Sequence, residues 1–113
     1  MSSNLPDSKN IIEVRSVMDK TIRTTPEYFN RIRTVKHPEL NESNESIGTV
    51  LQAFIHATEV RHAEQDIFLY HYKMNDHTLV AVARHLNGDG FLVTAYKTTK
   101  QKRKGIIVWP RKK

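Results

Sequence analysis

Apolar and polar positions alternate with a period of two through the second half of this chain. The clearest run is Leu79 to Trp109, LVAVARHLNGDGFLVTAYKTTKQKRKGIIVW. It predicts two β-strands joined by a tight turn, then a basic loop and a third strand. Asn87-Gly88-Asp89-Gly90 tolerates positive φ and lies between β-branched runs, which is a strong short-range hairpin signal. A regular turn there sets Leu86 opposite Phe91, Arg84 opposite Val93 and Val82 opposite Ala95. One face is then Val80, Val82, Leu86, Phe91, Val93 and Ala95, a core. The other carries Leu79, Ala81, Ala83, His85, Leu92, Thr94, Tyr96 and Thr98, a floor for a shallow polar site. A slip of one residue exchanges the two.

The first half is less regular. Residues 1–9 read as disordered. Ile11, Ile12, Val14 and Val17 start either a strand that turns at Asp19-Lys20 and returns through Thr21–Thr24, or a single helix over 10–23. Thr25-Pro26-Glu27 opens a helix: Thr accepts from free first-turn amides, Pro suits the first position, and Glu complements the dipole. Phe29, Ile32 and Val35 give its apolar stripe. It should end at Lys36-His37, because Pro38 disfavours the helical conformation at the residue before it. Ile47, Val50, Leu51, Phe54 and Ile55 mark a second helix at i, i+3, i+4, i+7 and i+8. Strands at 58–62 and 66–73 follow, turned at Ala63-Glu64-Gln65, and Met74 to His77 turns into the hairpin. The element order is ββααβββββ, or αααβββββ if the first segment is helical. Runs of helices before runs of strands imply an α+β fold, an antiparallel sheet with helices on one face and the other face open.

Composition narrows the class. At 113 residues, with no cysteine, the chain is a single domain over 10–110, with neither a disulfide framework nor a cysteine zinc site. No apolar run is long enough to span a bilayer, and the polar start MSSNLPDSKN lacks a secretion signal's apolar stretch, so a cytoplasmic protein with no membrane partner is expected. The net charge of +6 is unevenly spread. Residues 97–113 hold eight basic side chains and no acidic one, while the other 96 hold ten basic and twelve acidic. A positive field confined to one end suits a polyanion-binding edge. The basic tail is 111–113.

Phosphate loops, nucleophile elbows and paired-histidine metal motifs are absent, and the six histidines lack ligand spacing, so neither a metal nor a cofactor is expected. The remaining residue types suit RNA cleavage without a metal, which needs a 2′-hydroxyl deprotonated, a phosphorane stabilised and a leaving oxygen protonated. His37 is a candidate acid or base, biased towards imidazolium by the helix end. Lys36, Arg61 and Lys100 are candidates to hold phosphate, and Thr94, Tyr96 and Thr98 to donate to it. Lys97, Lys102, Arg103 and Lys104 extend the binding edge, and Trp109 or Tyr96 can stack on a base. The plainer alternatives are a solvated helix end for Lys36 and core or edge packing for Trp109.

The helix opened by Thr-Pro-Glu and closed by Lys36-His37-Pro38-Glu39-Leu40, the second amphipathic helix, and the strands Gly90–Tyr96 and Gly105–Trp109 resemble the small nuclease superfamily of barnase, EndoU, the tRNase colicins and RelE-type toxins. Its phage and mobile-element members near colicin D and RelE are the most similar. The resemblance implies an antiparallel sheet of four to five strands with two N-terminal helices on one face. It also implies a metal-independent, toxin-like endoribonuclease acting on tRNA or mRNA, with a cognate antitoxin or immunity protein as partner. Catalytic positions carry over to Lys36, His37, Thr94, Tyr96 and Thr98. The RelE cluster of Arg and Lys with a Tyr has no full counterpart. An RNA-binding module without chemistry, and an interaction or immunity-type protein, are the alternatives.

Overall fold

A computed structural model describes residues 11–32, 47–99 and 105–110. The expectations for 1–9, Lys36, His37, Lys100, Lys102, Arg103, Lys104 and 111–113 lie outside the described residues. The elements are β1 (Ile12–Arg15), β2 (Thr21–Thr24), α1 (Pro26–Arg31), α2 (Ile47–Ile55), β3 (Glu59–Glu64), β4 (Ile67–Lys73), β5 (Thr78–Leu86), β6 (Asp89–Thr98) and β7 (Ile106–Trp109).

Local chemistry accounts for most of these. The side chain of Thr25 caps α1 by accepting from the Tyr28 amide at 3.1 Å, with Pro26 in the first turn and Glu27 beside it. The apolar stripe of α2 buries Val50, Leu51, Ala53 and Phe54. Between β1 and β2, Asp19 takes a positive φ of 65° and its amide donates to the Ser16 carbonyl at 2.9 Å, which closes the turn.

The assembly differs from the sequence-based expectation. All seven strands join one mixed sheet in the order β1-β2-β6-β5-β4-β3-β7, accompanied by two short helices among the described residues. It is not a four-to-five-strand antiparallel sheet of RelE or barnase type with two N-terminal helices. The N-terminal hairpin is part of the sheet, because β2 lies parallel to β6 with Ile22 beside Gly90. Gly90 permits this approach: a Cβ there would stand 2.6 Å from the Arg84 carbonyl oxygen and 3.0 Å from Ile22 Cδ1. At the far edge β7 returns to pair with β3.

The β5–β6 register also differs from the regular turn. Asn87, at φ 53°, and Gly88 form a two-residue turn, so Leu86 pairs with Asp89 and Arg84 with Phe91. A bulge then makes Ala83 face Leu92 and Val82 face Thr94, which leaves Val93 as the extra residue. The extra residue reverses the phase of β6. Leu79, Ala81, Ala83, Leu92 and Ala95 therefore enter the main core with Ile22, Val50, Phe54, Val60 and Tyr70. Val80, Val82 and Leu69 form a smaller cluster with Ile67, Val93 and Tyr96 packed around it. The face expected to be the core is the minor one. It is no bare floor either, since Leu69, Val80 and Val82 are buried.

Candidate functional site

Cross-strand pairing fixes which candidate residues can act together. Arg61, Leu69, Val82 and Thr94 align in one row, and Glu59, His71, Val80 and Tyr96 in the next. Strands lie about 4.8 Å apart, so Arg61 stands about 14 Å from Thr94, too far to share one phosphate. Arg61 is engaged where it is: Nη1 lies 2.8 Å from Glu59 Oε2 and Nη2 donates to the Gly105 carbonyl at 3.2 Å. Trp109 packs against the main core beside Val60, with its ring half-buried. Thr94, Tyr96 and Thr98 follow one another along β6 at about 7 Å per step, a row rather than a cluster around one atom. Thr94 Oγ1 is shielded from solvent and has no hydrogen-bond partner among the described residues.

At the end of this row, where β6 finishes and β5 begins, Asp76, His77, Lys97, Thr98 and Thr99 line an open depression of about 360 Å³. Two residues singled out in the sequence, Lys97 and Thr98, meet there. Asp76 and His77 are additions, which the sequence showed only as part of a turn. The usable signal was the hairpin itself: its pairing sets Thr78 opposite Thr98 and Leu79 opposite Lys97, and so brings the Asp-His dipeptide alongside. His77 Nδ1 lies 2.7 Å from Asp76 Oδ1. This hydrogen bond holds the Asp76 carboxyl below its ordinary value, with Lys97 adding to the effect. The carboxylate stays ionised and orients the ring. His77 Nε2 is buried beneath the surface of the depression. A base that took a proton from a bound hydroxyl would use that atom, so the arrangement presents charge and hydroxyls to a ligand rather than an exposed imidazole nitrogen.

A second histidine constellation lies under the helices. The Tyr70 hydroxyl donates to Ser16 Oγ at 2.9 Å and stands 2.8 Å from His85 Nε2. Ser16 Oγ accepts from the Met18 amide at 3.1 Å and the Lys20 amide at 3.3 Å. The His85 ring stacks on Phe68 with centroids 3.9 Å apart, and Phe68 stacks on His62 at 4.5 Å. Burial pushes the Tyr70 hydroxyl up to about 12 and the His85 imidazole down to about 4, the latter helped by the nearby charges of Lys20 and His62. Both groups are neutral at physiological pH. The trio ties the β1–β2 turn to the centre of the sheet.

An apolar hollow of about 320 Å³ lies where β2 and β6 diverge, lined by Ile11, Thr24, Tyr28, Phe91 and Leu92, with Arg23 at its rim. Its polar groups are already engaged: Tyr28 donates to the Val93 carbonyl at 2.6 Å, and Arg23 Nε lies 2.7 Å from Glu13 Oε2. No group of three or more His, Asp or Glu side chains able to hold a metal ion occurs among the described residues. No helix among them is long and apolar enough to cross a membrane. No family model, curated protein or solved structure matches this chain.

Proposed function

We propose that this protein binds single-stranded RNA along β6 and its basic continuation, holding the strand without cutting it. One observation carries the reading: Lys97, Thr98 and Thr99 meet in the depression at the end of β6, with Tyr96 just before them on the strand. In the sequence they lead directly to Lys100, Lys102, Arg103 and Lys104 with no acidic residue between. Hydroxyl and ammonium donors grouped at the end of a strand suit the phosphates of an extended RNA, and the half-buried Tyr96 beside them is the candidate to stack on a base. Contacts of this kind make affinity fall steeply with salt. Fluorescence anisotropy of a labelled single-stranded RNA, repeated from low to physiological salt, is expected to give a linear loss of log affinity with log salt. The RNA should be recovered at full length on a denaturing gel. Salt-independent binding would remove the phosphate contacts from the account.

The second reading is a metal-independent endoribonuclease, a toxin-like enzyme that cleaves by 2′-hydroxyl attack. It is supported by the Asp76–His77 pair at 2.7 Å beside Lys97 and Thr98, the residue types that acid–base cleavage requires. It needs His77 Nε2 to reach the ligand. The same gel decides it: RNA shortened by the wild type in the presence of chelator, and intact with His77→Ala, would replace the binding reading with this one.

A further inference from the structure

β1 forms the first edge of the sheet, and among the described residues nothing pairs with its outer side. Hydrogen bonding across the β1–β2 hairpin fixes which of its backbone groups face outward. The Ser16 amide donates to the Lys20 carbonyl at 2.8 Å, so Ser16 turns inward to β2. Antiparallel pairs alternate between bonded and non-bonded, and the register therefore makes Val14–Ile22 and Ile12–Thr24 the bonded pairs. Thr21 agrees: its amide turns away from β1 and donates to the Gly88 carbonyl at 3.3 Å. Glu13 and Arg15 are left with their N–H and C=O groups aimed off the edge. Their side chains share one face of the strand and are 49% and 63% exposed.

An open edge accepts another strand, and the charges along it decide which one. Charge of a single sign would exclude every copy of this chain. β1 instead carries one of each sign, two residues apart, in Ile12-Glu13-Val14-Arg15. Run antiparallel to itself about Val14, it sets Glu13 opposite Arg15 of the second copy, and Arg15 opposite that copy's Glu13. These are the residues whose backbone groups turn outward, so each oppositely charged pair also exchanges both of its main-chain hydrogen bonds. Sliding the copy by two residues either way sets Glu13 against Glu13 or Arg15 against Arg15, and sliding it by one mismatches the outward groups. Within each chain Glu13 Oε2 lies 2.7 Å from Arg23 Nε, so the row across the junction runs Arg23, Glu13, then the copy's Arg15, with alternating sign. We propose that β1 is a self-recognition edge: two copies of this chain join through antiparallel β1 strands and continue the sheet across a two-fold axis at Val14. β2 separates this edge from β6 and meets β6 at 89–91, the end remote from the depression at Lys97, Thr98 and Thr99, so the proposal does not depend on the RNA reading.

A four-residue strand edge buries less than the roughly 1,200 Å² of a standard interface, so the dimer belongs to high concentration. Sedimentation equilibrium of the full chain, run from micromolar to millimolar concentration, is expected to show a monomer–dimer equilibrium. Amide exchange at the two ends of that range should slow at Glu13 and Arg15 and stay unchanged at Ile12 and Val14, whose amides are bonded to β2 in either state. Glu13→Arg sets Arg against Arg and Arg15→Glu sets Glu against Glu, and each alone should weaken dimerisation by at least about tenfold. Mixed in equal amounts, the two variants carry opposite charges at both positions and should recover a heterodimer of about the wild-type affinity. The wild-type exchange pattern decides the matter if either variant fails to fold. A monomer at millimolar concentration, a dimer that protects amides elsewhere, single variants that dimerise like the wild type, or a mixture of folded variants that stays monomeric would each overturn the proposal.

Discussion

Two histidines, one on β5 and one in the turn before it, each have an oxygen partner at nearly the same distance, and their surroundings give them opposite uses. His85 lies 2.8 Å from the Tyr70 hydroxyl and stacks on Phe68, where burial keeps it neutral. His77 lies 2.7 Å from the Asp76 carboxylate at the rim of a depression shared with Lys97 and Thr98. A neutral partner in a closed setting makes the imidazole a structural tie. An ionised partner beside cations and hydroxyls makes it part of a charged surface. The hydrogen-bond distance distinguishes neither; the partner's charge and the access of solvent do.

The contrast breaks most visibly from the core side. Phe54 is fully buried on α2, with its ring edge-on to Tyr70 at 4.8 Å. Phe54→Ala is expected to remove about 3–5 kcal/mol, a large share of a small domain's stability, and to lower the urea midpoint sharply. Tyr70→Phe deletes the hydroxyl that links Ser16 to His85. It should lose about 1–3 kcal/mol by the same measurement, since both former partners stay buried.

Acid should act on the buried histidine. The folded-state value of His85 is depressed to about 4 from an ordinary 6.5, so the unfolded chain binds its proton first as pH falls. The contribution is complete above about pH 6.5 and is lost progressively towards about pH 4. Denaturant midpoints measured across that window should fall for the wild type. They should fall less for His85→Gln, whose amide can keep the bond to Tyr70 without titrating. The smallest expected effect is on the other side: Lys97→Ala should leave the urea midpoint unchanged. It should reduce the salt slope of RNA binding by about 0.7, one phosphate's worth on a single strand.

Much of the local structure was legible. Thr25-Pro26-Glu27 started a helix for the stated reason, the spacing of Ile47 to Ile55 gave α2 its bounds, and the strand before Asp19 turned back as β2. What the sequence hid was long-range. The parallel contact of β2 with β6 depends on Gly90 having no side chain at a position 68 residues from Ile22 along the chain. The bulge at Val93 adds one residue and exchanges the faces of β6, and alternation alone gives no sign of it. For the same reason Thr94, Tyr96 and Thr98 were correctly grouped with one another but placed on the wrong face of β5. Arg61 looked like a free cation because its tie to the Gly105 carbonyl exists only once β7 has returned to β3.

The most direct test of the binding surface is an amide chemical-shift titration of the full chain with a single-stranded RNA oligomer. The account predicts shifts concentrated at Asp76, His77 and residues 96–99, unmoved signals from Phe54, Tyr70 and His85, and RNA of unchanged length at the end. Shifts centred on the helix-covered core, or none at all, would contradict it.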